Sequence, residues 1–157
     1  MASLVKMQIL GLRSFGPDEK DAQMVAFNSP LTLILGQNGC GKTTIIEALK
    51  YATCGELPSN TQQGSGFVHD PKINNRVEVR GQVKLVCTTT KGEQVCIARS
   101  VQVQQKVKKL SFKSLDTTIT RINPETKEVS LLEFFINVTQ FSFNFFFLDK
   151  HIGSLKS

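Results

Sequence analysis

The residue run with the clearest chemistry is Gly36-Gln37-Asn38-Gly39-Cys40-Gly41-Lys42-Thr43, which reads G-x-x-x-x-G-K-T. Such a run suits a polyphosphate. Glycines let successive backbone N–H groups curl round an anion without a Cβ in the way. A helix that starts at the end of the run adds unpaired N–H donors and a partial positive charge. Lys42 supplies a full charge for the β- and γ-phosphates, and the Thr43 hydroxyl is a hard oxygen ligand for Mg²⁺. The competing reading is a glycine turn before an ordinary helix. Strand, spacing, Lys-Thr pair and helix in register argue against it. The loop speaks for nucleotide binding, but ATPases, GTPases and small-molecule kinases all use one.

The elements that must hold this loop are legible on either side of it. Residues 31–35 (LTLIL) are a short apolar run, as expected of a strand buried on both faces. Beyond the loop, Ile45, Ile46, Leu49 and Ala52 fall at helical spacing over residues 43–54. Gly55 is a plausible stop for that helix, and Pro58 bars its continuation. Upstream, residues 4–12 and 23–27 are strand candidates, and residues 55–67 are a loop by composition. The period then changes to two. Val77, Val79, Val83, Leu85 and Cys87 share one face, and Glu78, Arg80, Gln82 and Lys84 the other. Val95, Ile97, Val101 and Val103 repeat the pattern, with Lys91-Gly92 as the hairpin turn between. Residues 110–113, 117–122 and 127–131 are further short strands. The expected fold class is α/β: a buried strand, phosphate loop and helix joined to a half-exposed antiparallel sheet.

The chain has 157 residues, 40% apolar and 20% charged, a globular composition of one-domain length. Lys and Arg number 19 against 13 Asp and Glu, a net charge of +6 that fits a polyanionic partner and many plain proteins too. Cys40, Cys54, Cys87 and Cys96 form no C-x-x-C pair and no His cluster adjoins them, so neither a zinc site nor a disulfide framework is expected. Lys6 and Gln8 interrupt the apolar opening, which reads as the start of a soluble protein rather than a signal peptide.

From Leu132 onward the character changes, and seven of the eleven Phe lie between Phe134 and Phe147. Glu133, Asn137, Gln140 and Asn144 break the run, which is not the ~20-residue apolar stretch a bilayer demands. A buried strand pair and a reading frame that leaves the ancestral domain stay open, and the second is preferred. The expected division is residues 1–131 as the folded lobe and 132–157 as a divergent tail. The sequon at Asn137-Val138-Thr139 counts as chance.

The stretches around the loop narrow the choice. K-M-x-I-L-G-L-R-S-F, N-S-P-L-T-L-I-L-G-Q-N-G-C-G-K-T-T-I-I-E-A-L-K-Y and G-F-V-H-D-P-K together resemble SMC-type members of the ABC ATPases. The resemblance is closest to the eukaryotic branch that repairs DNA double-strand breaks. It runs from about Val5 to Leu131 and is strongest over residues 7–16, 30–51 and 66–72. It implies the N-terminal lobe of a P-loop ATPase head of ABC/SMC type. Arg13 matches a nucleotide-contacting arginine. Asn38, Gly39, Gly41, Lys42, Thr43 and Thr44 match the phosphate loop, with Thr43 on Mg²⁺. Val68 and Asp70 match positions that border the nucleotide. Without the resemblance, Arg13 reads as a solvated turn residue and Asp70 as a turn former before Pro71. His69 reads as a polar contact or a simple loop residue, with the loop preferred.

The resemblance also implies ATP and Mg²⁺ as ligands, DNA, a nuclease subunit and an adaptor subunit as partners, and a second head in a homodimer. It implies nuclear, chromosomal action without a membrane. Zinc belongs to the full-length family, with no site in this sequence. Hydrolysis in the family further needs an acidic strand end, a signature loop and a later glutamine, none of which is visible here. Gln140 lies outside the matching context and is not assigned. Lys106, Lys108, Lys109 and Lys113 cluster with Phe112, as a non-specific DNA contact or as a solvated strand edge. Two rival readings remain: a non-catalytic fragment that binds a nucleotide or a partner, and a self-contained small-molecule kinase. The kinase lacks an evident substrate lid, and its central parallel sheet conflicts with residues 76–131.

Overall fold

Alternating valines make the central hairpin. The computed structural model describes residues 3–106, 109–122 and 129–131. Strands β3 (Glu78–Thr88) and β4 (Gln94–Gln105) pair antiparallel without a register break, from Glu78↔Gln104 to Thr88↔Gln94. Val79, Val83, Leu85 and Cys87 of one strand and Val95, Ile97, Val101 and Val103 of the other are buried. Each such valine, leucine or isoleucine contributes about 1.5–3 kcal/mol on burial, which is why the period of two survives intact in the fold. The turn at Lys91-Gly92 closes as expected, with the Thr89 N–H donating to the Glu93 carbonyl at 2.8 Å.

The other strands extend this hairpin on both sides. They are β1 (Ser3–Leu10), β2 (Gln23–Ala26), β5 (Leu110–Ile122) and β6 (Val129–Leu131). The sheet has six strands in the order β2-β1-β3-β4-β5-β6, and every pairing is antiparallel. The helix α1 (Lys42–Cys54) lies against β1, β3 and β4. It stops at Gly55, whose N–H donates to the Tyr51 carbonyl at 2.9 Å.

Several expectations are corrected. Residues 31–35 form no strand: Leu31, Leu33 and Leu35 are 74%, 64% and 75% exposed. No strand among the described residues lies beside them, so their backbone has nothing to pair with. The buried stripe of α1 is Thr44, Ala48, Leu49, Tyr51, Ala52 and Thr53, while Ile45 and Ile46 sit at its margin. Small Ala48 and Ala52 let the helix approach the sheet, and Tyr51 meets Phe67 edge to face at 5.5 Å. Val77 precedes β3 and is 68% exposed, so it does not join the apolar face.

Strand β5 is continuous where two strands were expected. Arg99↔Thr117 is followed by Val101↔Ser114, so two residues of β5 oppose one of β4. This bulge switches the core-facing parity, from Leu110 and Phe112 before it to Ile119 after it. The expected divergent tail, 132–157, lies outside the described residues.

Candidate functional site

The phosphate loop is curled. Cys40 donates its N–H to the Gln37 carbonyl at 3.3 Å, and the Ile45 N–H reaches the Gly41 carbonyl at 3.0 Å to begin α1. Gly41, the N-cap, has φ 83°, which an L side chain rarely adopts, and a Cβ there would lie 2.9 Å from the Phe15 ring. Phe15 therefore presses on the loop from the turn after β1. On the open side, a Cβ at Gly39 would meet nothing within 4 Å. No side chain caps α1, and its first turn carries no acidic residue. The orphan N–H groups there are thus left for an anion.

Lys42 spans this curl. Its Nζ donates to the Gly36 carbonyl at 2.6 Å and to the Gln37 carbonyl at 2.7 Å. An ammonium has three donors, so one is left for a ligand. Thr43 is exposed and Thr44 buried, so of the two adjacent hydroxyls only Thr43 can meet a solvated cation. A single hard oxygen suits Mg²⁺, which keeps several waters and takes phosphate oxygens.

Arg13 is brought to the same helix. Its Nη2 lies 2.9 Å from Glu47 Oε1, one turn beyond Thr43. Its backbone is left-handed, with φ 47°. The turn that carries it is stitched to the FVHDP segment. The Arg13 N–H donates to the Phe67 carbonyl at 3.0 Å, the His69 N–H to the Gly11 carbonyl at 2.9 Å, and Leu12 bridges Val68. The crossing needs Gly11, because a Cβ there would run into the Arg80 carbonyl.

The FVHDP residues take distinct places. The Val68 side chain is in the core, so only its backbone is available to a ligand. Asp70 is exposed, and its Oδ1 accepts the Lys72 N–H at 3.0 Å, the turn-forming role expected of it before Pro71. His69 takes the less favoured of its two readings, a polar contact. It is 5% exposed, and its Nδ1 lies 2.6 Å from the Arg13 carbonyl oxygen. Neither His69 nor Glu47 was singled out from sequence as a partner of Arg13. Their separations of 56 and 34 residues left no local signal.

The lysine cluster divides. The Lys106 N–H donates to the Lys109 carbonyl at 2.9 Å and closes the β4–β5 hairpin. Lys106, Lys109 and Lys113 are exposed, and Lys108 lies outside the described residues. Phe112 packs against the core beside Gly64, so its ring is not free to stack on a base.

Among the cysteines, Cys40 and Cys54 are exposed and Cys87 is buried. Burial pushes the Cys87 thiol up, with Cys96 adding to it. Burial also raises Cys96, against the opposing pull of Lys84. Among the described residues no three His, Cys, Asp or Glu side chains gather as a metal site, and no helix is long and apolar enough to cross a membrane.

A sequence model of the AAA domain matches residues 6–152. The chain belongs to this AAA-domain family. It is 49% identical to the DNA repair protein RAD50 of Drosophila melanogaster over 119 residues, which is 76% of the chain and 9% of that protein. It is 45% identical to RAD50 of Arabidopsis thaliana over 134 residues, 85% of the chain and 10% of the relative. RAD50 of Saccharomyces cerevisiae is 46% identical over 123 residues, 78% of the chain and 9% of the relative. The chain thus spans about a tenth of the length of the curated relatives it matches. The expected resemblance to SMC-like repair ATPases and the expected P-loop lobe with an antiparallel sheet are both borne out.

Proposed function

We propose that this chain is the ATP-binding lobe of an SMC-like ATPase acting in DNA double-strand break repair. The observation that carries the reading is the curled loop of residues 36–43, which opens directly into α1 with Lys42 drawn across it. Backbone N–H groups of Asn38, Gly39, Gly41, Thr43 and Thr44 would line the triphosphate. Lys42 would face the β- and γ-phosphates, and Thr43 would hold Mg²⁺, which supplies charge neutralisation between those phosphates when bound. Arg13 offers a second cation near the first turns of α1. Val68 and Asp70 would border the nucleotide from the segment stitched to the Arg13 turn.

The lobe holds nucleotide without completing the chemistry. Phosphoryl transfer needs charge preorganised on both sides of the reacting phosphate, and an acidic strand end to orient water. The exposed leucines of residues 31–35 fit the same picture, since a strand buried on both faces needs neighbours from another polypeptide segment. A second ATPase head, a nuclease subunit, an adaptor subunit and DNA are the partners of the reading, and the nucleus and chromosome its place of action. Lys106, Lys108, Lys109 and Lys113 are the candidate DNA contacts. The exposed leucines also favour a second reading, in which the chain binds nucleotide or a partner without turnover.

ATP hydrolysis separates the two readings. It is measured with the chain alone and with a chain carrying the acidic strand and signature loop. Turnover that arises only in the mixture supports the first. Nucleotide binding with no turnover in either supports the second.

A further inference from the structure

We infer that His69 is a positioning residue for the nucleotide site, acting through Arg13; the inference rests on the proposed contact between Arg13 and the nucleotide. A carbonyl oxygen only accepts, so the 2.6 Å contact makes His69 Nδ1 the donor to Arg13. The Nδ1 proton is thereby fixed. The other ring nitrogen, Nε2, is buried and without a partner among the described residues. A buried polar atom left unpaired is costly, so the ring's place in the fold is set by what Nδ1 does.

What Nδ1 does is hold a backbone that would otherwise relax. Arg13 stands at φ 47°, a conformation L residues rarely adopt. Backbone bonds also restrain the turn: Arg13 N–H to the Phe67 carbonyl, His69 N–H to the Gly11 carbonyl, Phe15 N–H to the Leu12 carbonyl and Gly11 N–H to the Gly16 carbonyl. All are backbone bonds that any residue but proline at position 69 would preserve. The side-chain bond alone depends on which side chain stands at position 69, and it grips the carbonyl of the residue whose guanidinium meets Glu47 on α1. His69 sets the backbone and Glu47 the side chain, so the cation is aimed before nucleotide arrives. Such preorganisation lowers the cost of binding.

Two substitutions separate the ring's atoms. Asn places an amide N–H near the position of Nδ1, and Gln places one near Nε2. With the full chain, a fluorescent ATP analogue and Mg²⁺, His69→Gln is expected to weaken binding roughly five- to tenfold, and His69→Asn to stay within about twofold of the parent. In an Arg13→Ala background His69→Gln is expected to add nothing. Trypsin cleavage after Arg13, without nucleotide, is expected to quicken in His69→Gln and not in His69→Asn. It reads the anchor independently of binding.

Loss of affinity in His69→Asn equal to that in His69→Gln overturns the inference, as does a further loss on top of Arg13→Ala. Faster cleavage with unchanged affinity leaves the anchor in place and removes its role in positioning. If the parent chain does not bind the analogue, or Arg13→Ala binds as the parent does, the nucleotide contact of Arg13 has failed, and the inference falls with it. Should His69→Gln not fold, His69→Asn decides: parental affinity and cleavage rate support the inference, and loss of either sinks it.

Discussion

The Lys42 ammonium donates to the Gly36 carbonyl at 2.6 Å, so the side chain proposed to face phosphate also ties the start of the loop to its end. A neutral, short residue at position 42 removes both the charge and the tie. Charge-assisted hydrogen bonds contribute about 1.5–3 kcal/mol each. Lys42→Ala is therefore expected to weaken Mg²⁺–ATP binding at least about tenfold in a calorimetric or fluorescence titration. Retained affinity would mean that residues 36–43 are not the phosphate site.

Arg99 joins α1 to the sheet at the other end of the helix. Its Nε donates to the Ala52 carbonyl at 3.0 Å, its Nη1 to Thr117 Oγ1 at 3.0 Å, and its guanidinium stands 5.9 Å from the Tyr51 ring centroid. A cation at a helix C-terminus also meets the negative end of the dipole. Arg99→Ala is expected to cost about 1–2 kcal/mol of stability in urea unfolding. Arg99→Lys should recover only part of it, because an ammonium lacks the planar fork that reaches Ala52 and Thr117 together. Equal stability of all three proteins would remove this tie from the account of the fold.

The contrast between Arg99 and the valines around it explains what could be read from sequence. Val79, Val83, Val95 and Val101 repeat at a fixed period, and that period survived into the sheet. The curl of residues 36–43 and the helix after it were equally legible, because their signal lies in consecutive residues. Arg13, Glu47 and His69 are brought together by the crossing of the β1 turn over the FVHDP segment, which no local pattern encodes. The bulge in β5 hid a continuous strand by reversing its parity. Residues 31–35 misled in another way. Their composition is that of a buried strand, but composition does not supply a neighbour to pair with.

The thiols divide by burial. Cys87 and Cys96 ionise above their ordinary value of 9.0, because burial disfavours the thiolate. Iodoacetamide on the folded chain is expected to label exposed Cys40 and Cys54 first, and Cys87 only on unfolding. The same shift has a stability consequence. The unfolded chain loses these protons at lower pH than the folded one, so stability is fully present below the ordinary value and declines as pH rises past it. Urea midpoints should fall between about pH 8 and about pH 10, and less so in Cys87→Ala, once its own packing loss is subtracted at neutral pH. Equal declines in the two proteins would assign the effect to other groups.

Lys106 and Lys109 flank the β4–β5 hairpin, with Lys113 farther along β5. Cations that meet phosphates release counterions, at about 0.9 in log–log slope per contact. Replacing Lys106, Lys108 and Lys109 by Gln is expected to lower the salt slope of duplex DNA binding by about 2–3, alike for unrelated sequences. An unchanged slope would leave these lysines without a part in DNA contact.

Leu31, Leu33 and Leu35 are all exposed, an apolar run without cover from the described residues. Exposed apolar patches of this kind drive association. Fully burying one leucine is worth about 1.5–3 kcal/mol, so three together outweigh the modest entropy of a short loop. Sedimentation at rising concentration is therefore expected to show the chain self-associating. Changing all three leucines to Thr, which keeps strand propensity while shedding apolar area, should return it to the monomer. A segment that completes the head should compete for the same residues. Its addition to the parent chain is expected to dissolve the self-associated species, while the triple variant should bind that segment at least about tenfold more weakly. Equal self-association of the parent and the triple variant would locate the sticky surface elsewhere. It would also detach residues 31–35 from the proposed completion of the lobe.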